Sequence, residues 1–232
     1  MFWYYDPTYL LVILGAILCL IASAGVQRTF ARYAKMPNGR GMTAEQCAAS
    51  ILQDAGITDV RIERIRGNLT DHYSPKEKVL RLSDDVYGST SVAALGVAAH
   101  ECGHAIQHQE HYAPLKLRSL SVPMANIGSW LSWPVIILGI LLGYYDLARV
   151  GVYLFAFVVF FQLITLPVEF NASSRALRIL EDHRLLYDEE LTGARKVLRS
   201  AAMTYVAALA SSVLQMLRLF LLTQGNRNRR NG

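Results

Sequence analysis

Charge is scarce in this chain. Only 18% of its 232 residues are charged, while 53% are hydrophobic. That balance is too apolar for an ordinary soluble domain. Cysteine is scarcer still, at three residues with no C-x-x-C pair. An odd, unclustered set argues against a disulfide framework or a zinc ribbon. No RNA- or DNA-binding motif is present, so the net charge of +5 reads as positive-inside membrane topology rather than nucleic-acid binding. Internal repeats are absent. The only low-complexity stretch is the basic tail 226–232, expected to be disordered.

Long apolar runs are what the chain has in plenty. Residues 9–26 are continuously apolar and long enough to span a bilayer, with Trp3, Tyr4 and Tyr5 ahead of them as an interfacial belt. No Lys or Arg precedes this run, whereas Arg28, Arg32 and Lys35 follow it. That order is not a signal peptide's, and it sets the amino end outside. Residues 127–145, with Pro134 inside, and 150–168, ending at Pro167, are expected to form a hairpin of spans around Asp146–Arg149. Residues 201–222 are apolar but interrupted by Gln215 and Arg218. They read as a fourth span, a re-entrant segment or a laterally packed helix. Lys and Arg crowd into 27–125 and 169–200, which assigns both segments to the cytosol.

The segment after the first run alternates turns, helices and strands. Pro37–Gly41 is a turn. Thr43 with Gln46 is a capping box opening a helix that runs to Asp54 or Ala55. Residues 60–65 alternate as a half-buried strand does, 74–77 turn, and 78–82 read as a second strand. The edge of that second strand offers an extended peptide a place to pair. Ser91 is a helix cap, and Pro114 is expected to end or bend the chain. The expected fold is mainly α: a polytopic membrane protein with a small α+β zincin-type domain and a short β-sheet beside three to four transmembrane helices. Its divisions are an amino-terminal transmembrane helix (1–26), a cytosolic subdomain (27–125), a transmembrane hairpin (126–168), a third-ligand helix region (169–200), and an apolar carboxy-terminal helix with its tail (201–232).

Residues 93–109 run at helical spacing without proline and contain His100-Glu101-Cys102-Gly103-His104. This is an H-E-x-x-H string. Positions i and i+4 share a helix face, so His100 and His104 can hold one metal ion, with Glu101 placed to take a proton from water. Two imidazoles suit zinc. Cys102 points away from that face and reads as packing. A third protein ligand is needed. His108 lies two turns on, about 12 Å along the axis, too far to share an ion with His100. His111 does not fit the extended H-E-x-x-H-x-x-G-x-x-H spacing, because Gln107 and Glu110 stand at its glycine and histidine positions. Glu169 fits best, with His72 and His183 as alternatives. It begins a segment returning to the same side of the membrane. Ala172 and Ser173 follow it, small enough for close approach, and Ser173 is placed to hydrogen-bond a ligand. His72, Tyr73, Arg175 and His183 are candidates to stabilise an oxyanion.

The stretches LTDHYSPKEKVLRLSDDVY, GVAAHECGHAIQH, PVEFNASSRAL and AAMTYVAAL resemble the YugP-type neutral zinc metallopeptidases, bacterial membrane proteins. The likeness covers most of residues 63–214. The segment from Glu169 is also similar to the E-x-x-A-D of HtpX-like and CAAX-processing membrane proteases. The resemblance implies a gluzincin site with one catalytic zinc ion on His100, His104 and Glu169, and Glu101 as base. It further implies a multi-pass protein of the bacterial inner membrane, active on its cytosolic face against peptide or membrane-protein substrates. The bilayer is its other partner, with room for membrane-protein partners or a homo-oligomer. Cys102 stands where the family commonly has Ala, Asn171 where Asp is usual, and Ser173 where the HtpX-like pattern has Asp. The rival expectation is a non-catalytic membrane scaffold or adaptor holding a structural metal. A transporter ranks lower, because the spans carry few charges apart from Arg218.

Overall fold

The structure, a computed structural model, describes residues 6–228, with side chains to 223. Trp3, Tyr4, Tyr5 and most of the basic tail therefore lie outside the described residues. Six helices and three strands follow in order: α1 (Tyr9–Tyr33), α2 (Ala44–Asp54), β1 (Arg61–Ile65), β2 (His72–Ser74), β3 (Val79–Ser83), α3 (Val92–Gln109), α4 (Ala113–Leu141), α5 (Tyr145–Asp182) and α6 (Asp188–Asn228). Among the described residues α1, α4, α5 and α6 are long and apolar enough to cross a membrane. The protein is a polytopic membrane protein with a small α+β part.

The residues cluster into two compact units. One comprises Met1–Ala22, Leu117–Leu166 and Thr204–Gly232; the other comprises Ser23–Lys116 and Pro167–Met203. In the first, small residues let helices approach closely, as lipid-embedded helices do. A Cβ on Gly139 would meet Ala148 N at 2.4 Å, and one on Gly15 would meet Ser211 Oγ at 2.6 Å. Helices α1 and α6 run antiparallel there. Cys19 Sγ lies 3.7 Å from Ala207 O, and Arg218 donates to Asp6 Oδ2 at 3.2 Å while its guanidinium sits 4.1 Å from the Tyr9 ring centroid. The charge that interrupts 201–222 is thus neutralised by Asp6. Residues 201–222 lie within one continuous helix, α6, long and apolar enough to cross a membrane. Exposed Leu20, Trp130, Leu141 and Tyr153 are acceptable where lipid, not water, is the solvent.

The second unit holds the one extended core, built around α3. Ser91 Oγ accepts the Ala94 N–H at 3.2 Å, capping α3 as its sequence predicts. Small residues on α3 admit its neighbours: a Cβ on Gly96 would be 3.4 Å from Ala194 Cβ of α6. Helix α2 opens with Gln46 Oε1 accepting the Thr43 N–H at 3.0 Å, the expected capping interaction. Strands β1 and β3 pair in parallel, from Arg61 opposite Val79 to Ile65 opposite Ser83. Strand β2 pairs antiparallel to β3, with His72 opposite Arg81.

Four expectations change. The sheet order is β1-β3-β2, so β3 is central and both its edges are taken; β3 cannot receive a peptide, and the free edges belong to β1 and β2. Pro114 sits in the first turn of α4, where its missing N–H costs no hydrogen bond, so it starts a helix instead of ending one. Asp146–Arg149 is the first turn of α5, and the connection is made by Gly143 at φ +69°. Finally, α5 passes through Pro167 without a break. Its 38 residues rise about 57 Å, nearly twice a hydrocarbon core of about 30 Å.

Candidate metal centre

Helix α3 carries His100 and His104 on one face, and α5 brings Glu169 to them. The close approach depends on Gly103, because a Cβ there would lie 2.7 Å from Ala172 O and 3.2 Å from Ala172 Cα. The small residues after Glu169 thus meet a glycine inside the motif. Glu169 Oε2 lies 3.3 Å from His100 Nε2 and 3.6 Å from His104 Nε2, and all three donors fall within 4.8 Å of one another. Tetrahedral zinc with bonds of about 2.0–2.1 Å sets its donors about 3.3–3.4 Å apart. Two imidazole nitrogens and one carboxylate oxygen are also the donor chemistry of a catalytic zinc with one position left open. The residues present fit that ion.

The ring nitrogens facing away from the cluster are both engaged. His100 Nδ1 lies 3.1 Å from Ser173 Oγ, the contact that sequence spacing suggests. His104 Nδ1 lies 3.0 Å from Gln107 Oε1. Gln107 is fully buried, and its Nε2 donates to Val168 O at 2.9 Å and to Asn171 Oδ1 at 2.8 Å. Asn171 Oδ1 also accepts from Arg175 Nε at 2.7 Å, and Arg175 pairs with Glu110 at 2.7 Å. Donor and acceptor chemistry fixes the direction of this chain. A carbonyl can only accept and a guanidinium can only donate. The Gln107 amide must therefore turn its N–H groups toward Val168 and Asn171, leaving its oxygen for His104. His104 Nδ1 consequently carries a proton, so Nε2 is the ring nitrogen left to serve as a metal donor. Sequence reading missed Gln107. Its one signal was a polar residue three positions past His104 on an otherwise apolar helix.

Glu101 is 8% exposed, and its charge acts on His104. Burial alone would lower the His104 imidazole's affinity for a proton. The hydrogen bond to Glu169, with the charges of Glu101 and Glu169, outweighs it and holds His104 above the usual histidine value. The site's field favours positive charge.

The other candidates sit elsewhere. His72 Nδ1 contacts Thr70 O at 2.9 Å and its Nε2 faces Arg81. His183, just past the end of α5, pairs with Asp54 of α2 at 2.8 Å. Neither joins the three-donor cluster. Tyr73 Oη lies 2.9 Å from His108 Nδ1, on the last turn of α3. Arg175 is anchored by Glu110 and Asn171 and reaches the cluster only through Gln107. Cys102 is fully buried against α2, its Sγ 3.7 Å from Ala48 O, and is a packing residue.

Residues 8–224 match a protein family whose description reads "Putative neutral zinc metallopeptidase". The chain is 44% identical over 203 residues, 88% of this chain and 90% of that protein, to "Putative membrane protease YugP" of Bacillus subtilis (strain 168). No solved structure matches it.

Proposed function

The chain belongs to the neutral zinc metallopeptidase family, and on that premise we propose that it is a zinc endopeptidase acting on membrane or membrane-associated proteins at the cytosolic face. His100, His104 and Glu169 hold one zinc ion. The observation that carries the reading is the convergence of one donor atom from each of His100, His104 and Glu169 within 4.8 Å of one another, with Glu169 Oε2 standing 3.3 and 3.6 Å from the two Nε2 atoms.

A zinc ion held there supplies a Lewis acid that acidifies water and polarises a carbonyl. Glu101 is the general base: its carboxylate takes the proton of the attacking water and returns it to the leaving amine. Ser173 and Gln107 hold the two imidazoles in the orientation that turns both Nε2 atoms inward. The free backbone edge of β2, which packs beside α3, offers an extended peptide hydrogen bonds before cleavage. Cytosolic orientation is supported by the Lys and Arg residues crowded into 27–125 and 169–200.

The test is Glu101→Gln in the detergent-purified full chain, with casein as substrate. The enzyme reading expects zinc content unchanged and cleavage reduced by about 10²–10⁴-fold. A structural metal in a scaffold needs no base beside it, so cleavage undiminished by the substitution, or absent from the wild type on every protein substrate offered, would overturn the assignment.

A further inference from the structure

Strand β2 is three residues long and stands at one edge of the sheet. Among the described residues no further strand pairs with it. What the edge offers follows from hydrogen-bond direction. In a strand the N–H and C=O of one residue point the same way, and the direction alternates from residue to residue. The Arg61 N–H of β1 donates to Lys78 O at 3.0 Å. Lys78, Leu80 and Leu82 therefore face β1, and Val79, Arg81 and Ser83 face the other side. The Ser83 N–H agrees, donating away from β1 to Asp71 Oδ1 at 2.7 Å.

Arg81 and Val79 stand opposite His72 and Ser74, so those two pairs carry the bonds between β3 and β2. Tyr73 is left with its own N–H and C=O turned outward. No backbone bond outside the sheet engages them. Pro75, the next residue on that side, has no N–H, and Asp71, the one before, lies outside the strand. The β2 edge thus holds one donor and one acceptor, both from Tyr73.

The side chain of the same residue ties that edge to the metal helix. Tyr73 lies opposite the fully buried Leu80, and its ring packs on the core side of the sheet. Its Oη lies 2.9 Å from His108 Nδ1, with the ring centroids 5.9 Å apart. His100, His104 and His108 follow at intervals of four, so His108 shares the face of α3 that carries both histidine donors. It stands one turn past His104, about 6 Å along the axis. His72 turns to the opposite face of the sheet, where it meets Arg81.

We propose that Tyr73 positions the substrate: its main chain pairs with a single residue of an extended peptide, and its hydroxyl, held by His108, fixes that pair relative to the metal donors. The inference rests on the peptidase reading above. Recognition through one main-chain pair selects an extended, unfolded segment rather than a particular side chain. Proline is excluded at the paired residue, because it has no N–H to offer.

The experiment compares wild type, Tyr73→Phe and His108→Leu as full chains in detergent, reading zinc affinity and the kcat and KM of casein cleavage. Tyr73→Phe keeps the ring and removes only the hydroxyl. Its KM is expected to rise about fivefold, the worth of one hydrogen bond. Zinc affinity and kcat should stay at wild type, as they do when a contact common to ground and transition states is lost. His108→Leu should match it, and the double variant should be no worse than either single, since both remove the same bond. An N-methyl scan of a casein segment that wild type cleaves should find one intolerant residue away from the cleaved bond. Unchanged KM in Tyr73→Phe, a fall in its zinc affinity, additive losses in the double variant, or tolerance throughout the scan would each overturn the proposal. Wild type that cleaves no casein refutes the peptidase reading itself, and this inference with it; normal wild-type cleavage beside an unchanged KM in the variants refutes this inference alone.

Discussion

Gly103→Ala is the smallest change that should dismantle the metal centre. The added Cβ would lie 2.7, 3.2 and 3.3 Å from Ala172 O, Cα and C. These are main-chain atoms of α5 and cannot rotate aside. Ordinary contact begins at 3.4 Å, so α3 and α5 must separate by about 0.7 Å, and overpacking of this kind costs about 1–3 kcal/mol. The donor set is less tolerant than the fold, since metal distances must hold within about 0.2 Å. Ala172 is one helical turn from Glu169, so the displacement carries the Glu169 carboxylate away from both histidines. Zinc affinity, measured by chelator competition on detergent-purified protein, should fall by about 10–100-fold, the loss typical when a ligand's support is disturbed. The metal-free melting temperature should fall as well. Ala172→Gly should not rescue either, because the clash is with backbone. Wild-type zinc affinity in Gly103→Ala, or full rescue by Ala172→Gly, would refute the reasoning.

Three further outcomes are expected. Gln107→Leu leaves His104 Nδ1, Val168 O and Asn171 Oδ1 without their shared amide; stability should fall by about 1–3 kcal/mol and zinc affinity by about 10–100-fold, read by melting and chelator competition. Burial pushes the Asp71 carboxyl up against the opposing pull of its Ser83 hydrogen bonds. Its protonated form therefore stabilises the fold below about pH 4, and that contribution is lost as pH rises through the raised value. The stability of wild type relative to Asp71→Asn should decline from about pH 4 upward, and parallel melting curves across that range would contradict this. Burial also pushes the Cys47 thiol up to about 12 and the Cys102 thiol well above the usual value. Maleimide at neutral pH should label neither until the protein unfolds, and prompt labelling of Cys47 in the native state would show that the core around α2 is open.

Local chemistry made much of this legible in the sequence. The H-E-x-x-H helix, its Ser91 cap, the Thr43–Gln46 capping box and the two longer strands each rest on residues within a few positions of one another. Glu169 was reached by combining topology with the small residues after it, and Ser173 by helical spacing. What escaped depends on tertiary placement. Gln107 gains its meaning only when α5 sets Val168 O and Asn171 beside it. The central position of β3 follows from a three-residue strand, β2, too short to carry a period. From sequence alone a span is expected to end at Pro167, and the chain to end a helix or bend at Pro114. Helix α5 continues through the first, and the first turn of α4 has no hydrogen bond for the second to lose. His72 and His183 were plausible by residue type alone, and the fold engages them at Thr70 and Asp54.

Zinc content is the most direct test of the three-donor centre. Elemental analysis of the detergent-purified wild type and of Glu169→Ala, dialysed against the same metal-buffered solution, should find about one zinc per chain in the first and almost none in the second. Equal zinc in both proteins, or none in the wild type, would contradict it.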